Sequence, residues 1–293
     1  MDLISINRKY KSIRNVIITT VFLVIIIIFV IMIKETKQNK KYEKVYKSYE
    51  NQIKLAKLAD EEKLEKAKES QLPKFSEEAK NQIANIYHHS EIKRVFLTFD
   101  DGPSKTVTPT ILDILKQENI KVTFFLLGSR VELEPEIVKR EYDEGHYLAS
   151  HGYSHVYSQI YASPQSVIDE YNRSVTAIRN AIGVQEYDPH LFRFPGGYNG
   201  GKYAELKKTA GQLLEQNGVL HVDWNALTSD SAGAKTTEGF IAQLEKTVPK
   251  YNSVVVLMHD AGNKTATANA LPTIIQYFRD RGFEFENFYS IMK

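Results

Sequence analysis

The chain has 293 residues, of which 42% are hydrophobic, with a net charge of +2 and no cysteine. That length and apolar content bury a full core in one or two domains. The near-neutral balance gives no general attraction to nucleic acid, and the lack of cysteine excludes disulfides, thiolate metal sites and a thiol nucleophile.

Residues 1–15 form a short tail bearing Arg8, Lys9, Lys11 and Arg14. Val16 to Ile33 is then apolar apart from Thr19 and Thr20 and carries no charge. At about 1.5 Å of rise per residue, such a run just crosses a bilayer. Its cationic flank matches a signal sequence, but Lys34-Glu35-Thr36-Lys37 stands where a small-residue cleavage site would be, so the segment reads as an uncleaved signal anchor. Lysines are as dense after the span as before it, and charge counting does not orient it. Residues 34–73 are rich in Lys, Glu, Ala, Leu and Tyr, and no Gly or Pro precedes Pro73. This composition predicts a solvated helical stalk. Tyr42, Tyr46, Tyr49, Ile53 and Ala56 alternate spacings of four and three, a faint seam through which weak self-association is conceivable, although a single exposed helix is the plainer reading.

Residues 74–293 read as one α/β domain. After a helical lead-in (Ser76 to Tyr87), the apolar run Val95–Phe99 is a buried strand that ends in Asp100-Asp101-Gly102-Pro103. Helical spacing covers Thr108–Asn119, an apolar strand covers Val122–Leu127, and a second helix covers Pro135–Glu144. A short strand (His146–Ala149) runs into His151, and a helix follows from Pro164 to Ile182, stopped by Gly183. Alternating strands and helices predict parallel βαβ units, in which chemistry collects at the carboxyl ends of the strands. Asp100, His151 and His259 all stand at such ends.

Adjacent carboxylates repel unless a cation or shared proton relieves them. His151 and His155 lie four residues apart, on one face if that segment is helical. Two histidines and one aspartate with an open position make a usual catalytic zinc shell. Each piece also has an ordinary reading. Asp-Asp-Gly-Pro is good turn chemistry, and a His pair at this spacing arises by chance on surfaces. Leu191–Tyr198 brings Arg193 to a strand end before a Pro-Gly-Gly turn, either as a surface arginine or as a fixed cation beside a carboxylate. Val219–Trp224 ends in Asp223 and the only tryptophan, and Val254–Asp260 delivers His259.

Taken in order, Thr98-Phe-Asp-Asp-Gly-Pro, His151-x3-His155, Arg193-x-Pro195-x-Gly197, Asp223-Trp224 and Leu257-x-His259 resemble the motifs of the polysaccharide deacetylase (NodB-homology) family, carbohydrate esterase family 4. The resemblance covers roughly Lys93 to the C-terminus and implies a distorted (β/α) barrel. It further implies that Asp101, His151 and His155 bind a divalent metal, most often Zn2+, with Co2+, Ni2+ or Mn2+ as alternatives. Asp100 would be the general base, paired with Arg193, and His259 the general acid, oriented by Asp223. Pro195, Gly196, Gly197 and Tyr198 would line the substrate, with a backbone N–H near Gly196 facing the oxyanion. Trp224 and Leu257 would wall the groove for the acetyl methyl. Gly152 and Gly196 depart from the family, which commonly has Ser or Thr and an aromatic there.

The expected function is metal-dependent N-deacetylation of a cell-envelope polysaccharide, peptidoglycan N-acetylglucosamine before all others, by an extracytoplasmic domain on a single membrane anchor. A wall-attached or secreted N-acetylhexosamine polymer is the close competitor. A catalytically silent glycan-binding scaffold is the alternative from another class, and the intact acid–base set speaks against it.

Overall fold

The computed structural model describes residues 3–69, 72–88 and 90–292. The chain divides into two compact units, Met1–Lys68 and Glu69–Lys293.

The first unit is one continuous helix, α1, which runs on to Glu69 (Leu3–Glu69). From Val21 to Ile33 every side chain is apolar and exposed. Within α1, Thr19–Leu55 contains a window of mean hydropathy 2.3, long and apolar enough to cross a membrane. The side chains of Val16 to Ile18, and of Tyr42, Tyr49 and Ala56 in the faint seam, lie outside the described residues; Tyr46 and Ile53 are exposed.

The second unit begins with α2 (Glu77–Ala84), capped by Ser76, whose hydroxyl accepts from Ala79 N–H. Strands and helices then alternate: β1 (Arg94–Asp100), α3 (Thr108–Glu118), β2 (Thr123–Leu126), α4 (Gly128–Leu133), α5 (Pro135–Asp143), β3 (Tyr147–Ser150), α6 (Tyr157–Ile160), α7 (Pro164–Ile182), β4 (Leu191–Phe192), α8 (Ala204–Gln216), β5 (Leu220–His221), β6 (Ala226–Leu227), α9 (Thr237–Thr247), β7 (Ser253–His259), α10 (Thr265–Arg279) and β8 (Glu284–Glu286). The strands form one sheet in the order β5-β4-β3-β2-β1-β7-β6, with β8 beside the first half of β1. Every pairing is parallel. The sheet curls without hydrogen bonds between β5 and β6, the distorted (β/α) barrel that the motifs implied.

Six of seven residues in β1 and all seven in β7 are buried, as expected where a parallel sheet is covered on both faces. One face packs Val95, Leu97 and Phe99 against α3, α9 and α10. The other turns Phe96, Phe125, Tyr147 and Val255 inward, where Ile83 of α2 and Phe288 plug the curl. Helix α7 keeps its expected bounds because both signals are local: the Ser163 hydroxyl accepts from Ser166 N–H, Pro164 opens the helix, and Gly183 ends it at φ 74°. Helix α4, by contrast, starts at Gly128 directly after the β2 run and is not among the elements that the sequence predicts.

Candidate active site

Register puts the chemistry at one end of the sheet. In β1 and β7, Asp100 pairs with His259; in β1 and β2, Asp100 pairs with Phe125; and Ser150 of β3 pairs with Phe192 of β4. The next residues on, Asp101, His151 and Arg193, therefore emerge at the same carboxyl edge. Asp101 Oδ1, His151 Nε2 and His155 Nε2 converge, with ligand atoms all within 4.8 Å of one another. Asp101 Oδ1 is 3.6 Å from His151 Nε2 and 3.5 Å from His155 Nε2. It is the one such cluster among the described residues.

The two histidines do not reach this position from a helix face. Residues 151–155 form a loop, with Gly152 at φ 84° and His155 at φ 56°. Gly152 thus has a reason to be glycine. Its left-handed backbone disfavours any Cβ, and one there would sit 3.0 Å from Ile160 Cδ1.

His151 Nδ1 lies 2.8 Å from the Arg193 carbonyl. A carbonyl only accepts, so Nδ1 carries the proton and Nε2 keeps its lone pair. Burial pushes the ring's pKa down to about 3, against the pull of Asp101, and the imidazole is neutral.

Arg193 is fully buried. Its Nη1 donates to Asp100 Oδ1 at 2.8 Å and to Thr98 Oγ1 at 2.7 Å; Nε and Nη2 donate to the carbonyls of Val222 (3.1 Å) and Asp223 (2.9 Å). The guanidinium also stacks 3.8 Å from the Phe125 ring. A buried ion pair is retained without large penalty when its remaining donors are satisfied in this way. Burial raises the Asp100 pKa above the usual carboxylate range even though Arg193 pulls it down.

The partner of His259 differs from expectation. His259 Nδ1 donates to Asp230 Oδ1 at 2.9 Å, and the other Asp230 oxygen accepts from His259 N–H at 2.8 Å and Thr267 Oγ1 at 2.9 Å. Asp223 does not orient His259. Its carboxylate accepts Tyr198 N–H, 2.9 Å from both oxygens, and so ties down the Pro195–Tyr198 turn. The reason is positional: Asp223 follows β5 at one edge of the curl, whereas Asp230 leaves β6, the neighbour of β7. Burial alone would lower the His259 pKa; the bond to Asp230 and its charge outweigh that and raise it. Asp230 is itself held below the usual range, because His259 and Thr267 outweigh its burial. It lies in the loop between β6 and α9, where Asp among Ser, Thr and Gly is ordinary loop composition and carries no sequence signal.

The turn expected to face substrate is braced from several sides. Tyr161 Oη donates to the Pro195 carbonyl at 2.7 Å and Lys207 Nζ to the Gly197 carbonyl at 2.5 Å. Gly197 N–H is used by Phe194, whereas no bond engages the Gly196 N–H among the described residues. A Cβ on Gly196 would collide with the Tyr157 hydroxyl, whose ring lies beside this turn. Trp224 borders Gly197, and Leu257 lies on β7 two residues before His259. A cleft of about 210 Å³ opens beside Asp101, lined by Pro103, Ser104, Lys105, Arg130 and Gly262.

Comparison with known proteins agrees with this geometry. A family model described as polysaccharide deacetylase matches residues 88–215. The chain is 36% identical over 197 residues to the peptidoglycan-N-acetylglucosamine deacetylase PgdA of Listeria monocytogenes, covering 66% of this chain but only 37% of that longer protein. A peptidoglycan-N-acetylglucosamine deacetylase of Bacillus cereus is 32% identical over 225 residues, 75% of this chain and 77% of the relative. Among solved structures, a Streptococcus mutans CE4 esterase superposes with a TM-score of 0.64 at 34% identity, over 73% of this chain and 92% of that one. On fold, motif geometry and kinship alike, the chain belongs to the polysaccharide deacetylase family, carbohydrate esterase family 4.

Proposed function

We propose that this chain hydrolyses N-acetyl groups on amino sugars of a cell-envelope polysaccharide, peptidoglycan N-acetylglucosamine first among them, with a divalent cation, zinc, as cofactor. One observation carries the reading: three ligand atoms converge beside a carboxylate tied to an arginine and an imidazole tied to a second carboxylate. The donor set fits the cation. Asp101 Oδ1 is buried without a hydrogen-bond partner among the described residues, and the two Nε2 atoms stand close to it. One carboxylate and two imidazoles, with a position left for water, suit zinc and admit Co2+, Ni2+ or Mn2+.

When bound, the cation supplies Lewis acidity, polarising the acetamide carbonyl and bringing the pKa of a coordinated water to about 7. The remaining work belongs to the chain. Asp100 Oδ1 is committed to Arg193, which leaves Oδ2, 3.8 Å from His151 Nε2, to take a proton from the attacking water. The Gly196 N–H, which no bond engages among the described residues, would be the donor to the carbonyl oxygen as it gains charge. His259 holds one proton on Nδ1 against Asp230, so Nε2 is the atom that delivers a proton to the departing sugar nitrogen. The products are acetate and a free amine.

The kinship supports the polymer assigned here, since the Listeria and Bacillus cereus relatives are named for the same substrate. Residues 16–33 act as the membrane anchor, 34–73 as the stalk and 74–293 as the catalytic domain outside the cytoplasm. An exposed apolar sleeve from Val21 to Ile33 favours a lipid surrounding. The test uses the full chain in detergent, stripped with chelator and given back zinc. Acetate and free amine are assayed from N-acetylglucosamine oligomers and from purified peptidoglycan. Zinc-restored release, larger from peptidoglycan, is the expected result. No release from either polymer with zinc bound would overturn the substrate, and failure to bind zinc would overturn the mechanism.

A further inference from the structure

Two of the three converging ligands, Asp101 and His155, have left-handed backbones, at φ 73° and φ 56°. That conformation is unfavourable for a non-glycine residue and persists only where its surroundings enforce it. Each of the two loops is enforced by a buried carboxylate that makes no ion pair among the described residues.

For the His151–His155 loop the carboxylate is Glu170, on the second turn of α7 and 6% exposed. Its Oε2 accepts Tyr153 N–H at 2.6 Å and Ser154 N–H at 2.7 Å, and its Oε1 accepts the Ser154 hydroxyl at 2.7 Å. Ser154 Oγ in turn accepts Val156 N–H at 3.1 Å, which fixes the chain on both sides of His155. For the Asp101 loop it is Asp260, fully buried. Its Oδ2 accepts the Thr108 hydroxyl at 2.6 Å, whose oxygen accepts Ser104 N–H at 2.8 Å. Its main chain closes the same loop, with Asp260 N–H donating to Asp100 O at 3.2 Å and Ser104 Oγ donating to Asp260 O at 2.6 Å. Its carboxylate lies so close to Gly102 that a Cβ there would overlap it. Neither group belongs to the ligand cluster, and the reaction described above uses neither.

We propose that Glu170 and Asp260 are the positioning residues of the metal site, holding Asp101 and His155 in ligating geometry before any cation arrives. Both are anchored on the barrel, on α7 and at the end of β7, and reach the ligands through the hydrogen bonds of the loops that carry them. Burying a carboxylate without a cationic partner is costly unless several donors converge on it. Glu170 meets that condition with two backbone N–H groups and a hydroxyl. Asp260 has one hydroxyl on Oδ2 and no partner on Oδ1 among the described residues, and burial lifts its pKa to about 7.

The inference rests on the assignment of Asp101, His151 and His155 as metal ligands but not on the identity of the polymer. The test measures zinc affinity of the full chain in detergent against a competing chelator, with melting of the zinc-free protein recorded in parallel. Glu170→Ala and Asp260→Ala should each weaken zinc binding by about 10–100-fold, as loss of an outer-shell partner does. Glu170→Gln keeps one acceptor oxygen and should fall between wild type and Glu170→Ala, which covers the case in which the alanine variant folds poorly. Folded variants that bind zinc with wild-type affinity, whatever their melting temperature, would overturn the positioning role. A wild-type chain that binds no zinc would overturn the ligand assignment and this inference with it.

Discussion

Asp100 and Asp101 are chemical twins separated by one peptide bond, and their surroundings give them opposite tasks. Asp100 is buried at the end of β1 with one oxygen tied to Arg193, while Asp101 turns left-handed and offers an unpartnered oxygen to two histidines. Asp100→Asn should therefore cost about 10²–10⁴ in turnover with zinc content unchanged, as steady-state kinetics and metal analysis would establish. Asp230 supports a second expectation. Its charge and hydrogen bond hold the His259 pKa up against burial. In Asp230→Asn the imidazole should lose its proton at lower pH, and the alkaline limb of the kcat profile should move to lower pH. An unmoved limb would mean that His259 is not the acid. At this scale the strand-end residues were legible because buried strands do not otherwise end in paired carboxylates or imidazoles. Asp230 was not legible. Its pairing spans 29 positions and starts in a loop of ordinary composition.

Among the elements, helix α7 could be read from its caps, but its purpose could not. It packs against α4, α5 and α8 and carries Glu170 beneath the histidine loop. Gly128, at the start of α4, allows that approach: a Cβ there would stand 2.8 Å from the Ser174 backbone and 2.6 Å from the Tyr153 ring. Gly128→Ala should cost about 1–3 kcal/mol by overpacking, visible as a lowered midpoint in denaturant melts with unchanged slope. The His151–His155 loop shows where periodicity misleads. A spacing of four suits a helix face, yet here Gly152 and the Glu170 carboxylate bend the segment into a loop that reaches the same convergence. Strands β4, β5 and β6 have only two residues each, too short for hydrophobic alternation to register, and tertiary pairing alone defines them.

For the molecule as a whole, the alternation of strands and helices was enough for the class of fold, whereas the open edge between β5 and β6 depends on non-local pairing that no local pattern encodes. The apolar sleeve on α1 makes its own demand. Full-length chain should remain with the lipid fraction through an alkaline carbonate wash, and a chain lacking residues 1–33 should leave it. About 18–20 apolar residues suffice to hold a helix in a bilayer. A full-length chain that washes off would remove the anchor from the reading.

Arg193 touches the site through two different atoms. Its carbonyl fixes the ring of His151, while its guanidinium fixes Asp100. One residue thus ties base and ligand to the same point of the chain, just beyond β4. The two duties are separable, because substitution removes the side chain but keeps the carbonyl. Arg193→Met should leave zinc affinity close to wild type and yet silence turnover by freeing Asp100 from the guanidinium that holds it. The distance that catalysis needs constant is held by a single short strut at the end of β4.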